Sequence, residues 1–327
     1  MKPKRMKRTS AKNVLAVDLG GTKLAAALVN REGKLSLRKS VSVDASSALA
    51  PVKQIALLAY ELAAGKPFKA TVQAVGIAVP GLVRRNGTVW APNLKGWKNM
   101  PLAKRLQQEL GVPVIVESDR NAAVLGETWR GAARDKSDAI VLMLGTGIGA
   151  GIFSGGRLVR GAQELSGCAG WMVVTEHESA EVQRVGQLES LAAGPAIAST
   201  ASKELARGMT SLLEEIPPAS VNAYEVAEAA RRGDALSIEV FLEAGRLLGR
   251  GVANLVSLFD PEVIVIGGGL SRASDLFLDA LRNSMKQYAQ PIAAKQVRVL
   301  VSKLGADANL LGVARLAWDI AQHRRAP

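Results

Sequence analysis

An apolar strand, a glycine corner and a second apolar strand occur twice in this chain, and the repetition constrains its fold more than any other feature. The first copy reads Val14-Leu-Ala-Val-Asp18-Leu-Gly20-Gly21-Thr22-Lys23-Leu-Ala-Ala-Ala-Leu28. The second reads Ala139-Ile-Val-Leu-Met-Leu-Gly145-Thr146-Gly147-Ile-Gly149-Ala-Gly151-Ile-Phe153. At 327 residues the chain is too long for one comfortable core. Two copies of one strand meander, each followed by helices and further strands, predict two similar α/β domains facing each other, with a ligand cleft between them.

The order within each copy follows from hydrophobic period and punctuation. After the first hairpin, residues 35–43 alternate as a strand, residues 48–64 carry helical spacing, and residues 74–79 form an apolar strand stopped by Pro80-Gly81. A helix over 102–110 and a strand over 112–117 complete that half. In the other half helices fill 190–257, a strand at 262–266 ends in Gly267-Gly268-Gly269, a strand spans 297–301, and a terminal helix ends near Gln322. The helix from Ser237 to Phe259 has a clear apolar stripe, yet contains Gly245, Gly249 and Gly251. Glycine costs about 1 kcal/mol in a helix interior, so close packing against a neighbour is the expected compensation.

Glycines without a Cβ let a ligand reach backbone N–H groups, and Thr22 and Lys23 add donors beside Gly20 and Gly21. A phosphate chain suits such a corner; a plain Gly-Gly hairpin explains it equally well in isolation. The matching corner at Gly145-Thr146-Gly147 favours the phosphate reading. Asp18, at the strand end, is placed to orient a metal-bound water. Asp119 follows a strand and opens a helix, so it reads both as an N-cap and as a general base for phosphoryl transfer. Asn93-Leu-Lys-Gly96-Trp97 reads as a sugar-facing loop or an ordinary structured turn, and Glu189 as a ligand for hydroxyls or part of a polar helix face.

The chain has one cysteine, Cys168, which excludes an intrachain disulfide and a cysteine-rich zinc site and fits a reducing, cytoplasmic compartment. Net charge is +13, but Lys2, Lys4, Arg5, Lys7, Arg8 and Lys12 crowd the first twelve residues, which read as a solvated basic tail. No signal peptide follows it and no apolar run is long enough to span a bilayer. Neither a membrane nor a specific nucleic acid is expected as a partner.

Together these segments resemble the ROK family (repressors, open reading frames and sugar kinases) of actin-like, hexokinase-related ATPases. The pieces are Asp18-Leu-Gly-Gly-Thr-Lys23, Gly76-Ile-Ala-Val-Pro-Gly81, Asn93-Leu-Lys-Gly-Trp97, Ser118-Asp-Arg-Asn-Ala-Ala123, Leu144-Gly-Thr-Gly-Ile-Gly149, Gly194-Pro-Ala-Ile-Ala198, Asp260 to Gly269, and Leu304 to Ala308. The resemblance implies two actin-like (RNase H-like) domains, a small one of residues 13–118 plus 303–327 and a large one of residues 119–302, with residues 1–12 as a tail. It implies ATP and Mg²⁺ as cofactors and a homodimer.

The resemblance also implies roles. Gly20, Gly21, Thr22 and Lys23 would form one phosphate loop with Asp18 near the metal, and Gly145, Thr146 and Gly147 a second. Gly194, Gly267, Gly268 and Gly269 would hold the nucleotide. Asp119 would be the base that activates a sugar hydroxyl, in a substrate set with Gly81, Asn93, Ser118, Cys168, Trp171 and Glu189. Two departures mark the acceptor side: Ser118 stands where the family has asparagine, and Gly167-Cys168-Ala169-Gly170-Trp171 where it has Gly-Glu-Ile-Gly-His. The three-cysteine zinc motif is absent, so no zinc is expected. The expected function is an ATP-dependent, glucokinase-like sugar kinase with an altered acceptor site. The alternative is a catalytically weak sugar- or nucleotide-binding regulator. A repressor is disfavoured, because the first hairpin begins by Val14 and leaves no room for a DNA-binding domain before it.

Overall fold

The computed structural model describes residues 13–63, 67–176 and 178–323; the basic segment 1–12 and His177 lie outside the described residues. The chain divides into two compact units.

The first unit begins with an antiparallel meander, β1 (Asn13–Leu19), β2 (Lys23–Val29) and β3 (Leu35–Ser42). Then come α1 (Ala50–Leu62), the single turn α2 (Phe68–Thr71), β4 (Val72–Val79), and a two-residue ribbon of β5 (Leu82–Val83) with β6 (Val89–Trp90). Helix α3 (Leu102–Leu110), strand β7 (Val114–Ser118) and helix α4 (Asp119–Arg130) follow. The sheet order is β3-β2-β1-β4-β7, with β4 parallel to both β1 and β7.

The second unit repeats that plan. Strands β8 (Ala139–Leu144), β9 (Ile148–Ser154) and the short β10 (Arg157–Leu158) form its meander. The helical part runs through α5 (Ala180–Val185), α6 (Gln187–Ala192), α7 (Gly194–Ala206), α8 (Ala223–Arg231) and α9 (Ala235–Phe259). It closes with β11 (Val263–Gly267), α10 (Ser274–Tyr288), α11 (Pro291–Gln296) and β12 (Arg298–Val301). The order β10-β9-β8-β11-β12 is that of the first sheet. The chain then returns to the first unit as α12 (Asp307–His323).

Side-chain alternation decides what each sheet face packs against. Leu15, Val17, Leu19, Val75, Ile77 and Val79 join one buried cluster with α1 and α3. The opposite face carries Ala16, Ala74, Gly76 and Ala78, small enough for α12 to come close. A Cβ on Gly76 would overlap the Val313 carbonyl of α12. Gly312 on α12 and Gly126 on α4 meet the carbonyls of Ala122 and Ala308 in the same way. This crossing holds α4 in the first unit, which therefore extends to Arg130, beyond the Ser118 boundary read from the sequence.

In the second unit α9 lies against α10. A Cβ on Gly245 would come 2.6 Å from the Phe277 carbonyl oxygen, and one on Gly249 2.5 Å from that of Leu281. Gly251 faces Leu188 of α6 at 2.7 Å. The three helix glycines are thus all sites of close approach. Asp234 caps α9, its carboxylate accepting from Ser237 N at 2.9 Å and from Leu212 N at 3.0 Å. These two bonds engage one backbone donor of the 25-residue helix and one of the preceding loop with a single buried carboxylate.

Candidate functional site

In the first unit the sheet register aligns the site. Asp18 on β1 pairs with Ala78 on β4, which pairs with Glu117 on β7. Asp119 begins α4 two residues beyond Glu117. At about 4.8 Å per strand, the two aspartates lie at carboxyl ends of strands separated by about 10 Å of sheet, the edge where α/β folds collect ligands.

Alternation puts Asp18 on the α12 face, where Asn309 Nδ2 donates to its Oδ1 at 3.2 Å. Burial raises the Asp18 carboxyl to about 6; the Asn309 hydrogen bond opposes that rise, the charge of Asp119 adds to it, and Arg38 and Lys23 oppose it. Asp119 is also pushed up, chiefly by burial, against the N–H of Arg120 at 2.8 Å and the Arg120 charge. Both carboxyls are thus held closer to neutral pH than ordinary aspartates. Behind them, Glu117 Oε1 accepts from Ser118 N and from Asn121 Nδ2, each at 2.9 Å. Ser118 is buried there rather than open to solvent.

The first corner connects β1 to β2 through Gly20, Gly21 and Thr22 and is closed by Gly20 N donating to Lys23 O at 2.8 Å. Neither Gly20 nor Gly21 has a positive φ, whereas a two-residue Gly-Gly hairpin turn of the common kind requires it at one or both. The backbone therefore does not need these glycines for its turn. Gly21 faces open space, with Thr22 and Lys23 exposed beside it.

In the second unit Gly145 N donates to Gly147 O at 3.0 Å, and again neither glycine has a positive φ. Gly145 O accepts from Gly194 N, the first residue of α7, at 2.9 Å. Glu189 Oε2 accepts from Ile148 N at 2.7 Å, leaving Gly147 no room for a Cβ. A cavity of about 950 Å³ opens here, bringing together Gly145, Thr146, Gly194 and Gly269 from three separate stretches of chain. Gly268 has φ +84° and would overlap the Leu144 carbonyl with any side chain, so β11 turns sharply into the cavity wall. Asn222, Tyr224 and Arg272 also line it, and sequence reasoning missed all three.

The remaining residues divide. Trp97 is fully buried with its Nε1 donating to Ala48 O at 2.8 Å, so the aromatic of that loop is core. A buried tryptophan contributes on the order of 4–6 kcal/mol of transfer free energy. Asn93 is exposed on the same loop. Gly81 adopts φ +96° against the Trp90 carbonyl. Cys168 precedes and Trp171 ends a single 3-10 turn, Ala169–Trp171, in the second unit. Trp171 is 56% exposed, so its indole is not part of the core.

Among the described residues no three His, Cys, Asp or Glu side chains gather to hold a metal, and no helix is long and apolar enough to cross a membrane. One carboxylate, Asp18, together with the buried, unpartnered Oδ1 of Asn309 is an all-oxygen set. It fits a hard cation that keeps its waters and leans on phosphate oxygens. Asn309 was also missed; its only sequence signal is a polar residue beside the Leu304 to Ala308 segment.

The ROK family model matches residues 14–320. A glucokinase of Thermotoga maritima is 33% identical over 313 residues, covering 93% of this chain and 96% of that protein. A ROK family glucokinase from Streptomyces griseus, solved in complex with glucose and AMPPNP, superposes with a TM-score of 0.78 at 32% identity, over 94% of this chain and 99% of that one. A putative xylose repressor of a Caldicellulosiruptor species is 31% identical over 314 residues, 94% of this chain and 78% of that protein. The two repeated sheets are those of the actin-like ATPase fold that the ROK sugar kinases share. With one family model spanning nearly all of its length and kinases of that family a third identical to it, the chain belongs to the ROK family.

Proposed function

We propose that this chain is an ATP-dependent kinase that transfers the γ-phosphoryl group to a hydroxyl of a sugar or sugar derivative, glucokinase-like but with an altered acceptor site. The observation that carries this reading is the pair Asp18 and Asp119, two half-buried carboxyls with raised pKa values at the ends of β1 and β7, which flank β4 in one sheet. The similarity to glucokinases supports the reaction class.

In this reading the second-unit cavity, lined by Gly145, Thr146, Gly194 and Gly269, takes the nucleoside. Thr146 and Gly147 offer backbone N–H groups to phosphate, and Gly267 and Gly268 lead the chain into the wall at Gly269, while the N–H groups of Gly145 and Gly194 hold the corner itself together. Gly21, Thr22 and Lys23 offer a second set of donors, next to Gly20, whose own N–H closes the corner on Lys23 O. Asp18 would hold Mg²⁺ through water; that ion neutralises charge on the phosphates. Asp119 accepts the proton of the acceptor hydroxyl as its oxygen bonds to phosphorus and the bond to ADP breaks. A carboxyl lifted by burial is a better base than an exposed one, which suits a reaction that asks mainly for positioning and a proton acceptor.

The acceptor differs because Ser118, Cys168 and Trp171 replace an asparagine, a glutamate and a histidine of the family pattern. Ser118 is buried against Glu117, and Trp171 offers an exposed indole face instead of a hydrogen-bonding ring. Each unmatched buried polar group costs about 1–3 kcal/mol, so glucose is expected to be a poor acceptor and a deoxy, amino or otherwise less hydroxylated sugar a better one. The same losses favour, as a second reading, a ligand-binding regulator with little turnover. Screening purified protein with Mg·ATP against a panel of sugars and amino sugars separates the two: phosphorylation of any of them supports the kinase, and nucleotide binding without turnover supports the regulator.

A further inference from the structure

Asn309 sits in the first turn of α12, whose start is clamped by an ion pair between Asp307 and Arg38 of β3. Its Nδ2 donates to Asp18 Oδ1 at 3.2 Å. The orientation of the amide is dictated by chemistry: toward an ionised carboxylate only the NH₂ end can bond, since the carbonyl end carries no hydrogen. That choice leaves Asn309 Oδ1 as an acceptor. It is buried, and no partner reaches it among the described residues.

A buried acceptor left empty costs free energy, and in native proteins such groups are almost always satisfied by something. Asparagine is also a weak helix former, and here its donor is spent outside the helix, so the helix itself gives no reason for its presence. The group that the same amide reaches through its nitrogen is the Asp18 carboxylate, a second acceptor, at the end of β1. Two oxygen acceptors joined through one amide call for a donor-rich, cationic occupant. Water bound to a divalent cation has that character, because the ion polarises its hydrogens.

We propose that Asn309 is a positioning residue: its amide nitrogen holds the Asp18 carboxylate in place, and its carbonyl oxygen accepts a hydrogen bond from a water of the bound magnesium–nucleotide. The proposal rests on the reading of Asp18 as the metal-side carboxylate and goes beyond it by assigning a second acceptor from α12.

The test is calorimetric binding of AMPPNP to the full chain, with Mg²⁺ and with the metal chelated away, in wild type, Asn309→Leu and Asn309→Ser. Wild type binds more tightly with metal. Asn309→Leu, similar in branching but without polar atoms, is expected to lose about tenfold of the metal-dependent gain while its metal-free affinity stays within about twofold, as removal of a hydrogen bond to a charged group predicts. Asn309→Ser keeps a donor and an acceptor, recovers part of the gain, and carries the comparison if leucine disturbs packing. Equal weakening with and without metal, or none in either, overturns the proposal. Wild-type affinity that does not depend on metal overturns the role of Asp18, and this proposal with it, so the two failures are told apart.

Discussion

Glu189 accepts a hydrogen bond from the backbone N–H of Ile148 at 2.7 Å, so the second glycine corner is held by a carboxylate from α6. Its Cβ and Oε2 also lie where a side chain on Gly170 would go, which ties the turn bearing Trp171 to the same group. Glu189→Ala leaves the Ile148 donor without its charged acceptor and is expected to cost about 2 kcal/mol of unfolding free energy, whereas Glu189→Gln costs less than about 1 kcal/mol. Chemical denaturation of the two variants checks the order.

Gly21 and Gly312 make opposite predictions from the same substitution. Gly21 has no neighbour within 4 Å of an added Cβ and no positive φ, so Gly21→Ala should leave stability within about 0.5 kcal/mol. Its effect appears in nucleotide affinity, with a loss of about tenfold, because a methyl group blocks approach to the backbone donors. Gly312→Ala drives a methyl group into the Ala122 carbonyl and should destabilise by about 3 kcal/mol or more. Paired denaturation and nucleotide titrations measure both. A Gly21→Ala variant that loses stability but keeps its affinity returns the corner to an ordinary turn.

Much of the fold was legible because hydrophobic period reports burial directly. The duplicated meander, the long helix over 237–259 and the helix glycines at 245, 249 and 251 all correspond to observed elements and contacts. The ribbon of β5 and β6 was not legible, since two-residue strands have no period to read. The place of α4 in the first unit was hidden because it depends on Gly126 meeting residues nearly two hundred positions later. At the site, the glycine segments were visible as sequence, but Asn309 was not. A single amide gains meaning only when alternation along β1 turns Asp18 toward α12.

Stability should depend on pH through Asp18. Its carboxyl titrates near 3.8 when free and at about 6 in the folded chain. Between these values the folded state binds more protons than the unfolded one, so stability falls as pH rises from about 4 to about 6 and then levels off. Burial pushes Asp119 in the same direction and adds to the slope. Asp18→Asn removes most of this dependence and is more stable than wild type at pH 7. Urea titrations at intervals from pH 4 to 7.5 check the slope and its loss.

The acceptor side should respond to restoration of the family pattern. Cys168→Glu combined with Trp171→His returns two polar groups to the turn at 169–171 and is expected to raise kcat/KM for glucose by tenfold or more, about 1.4 kcal/mol or above. The KM for ATP should remain nearly unchanged. Steady-state kinetics with glucose as the varied substrate decides this, and an unchanged glucose rate would place the specificity elsewhere.

In the proposed reaction Asp119 is the base of phosphoryl transfer. The most direct measurement compares wild type and Asp119→Asn for ATP-dependent phosphorylation of the best acceptor in the panel, with AMPPNP affinity measured alongside. Asp119→Asn is expected to lower kcat by about a thousandfold or more, since general-base catalysis contributes roughly 10²–10⁴, while nucleotide affinity stays within about threefold. An Asp119→Asn enzyme that turns over at the wild-type rate would contradict that role.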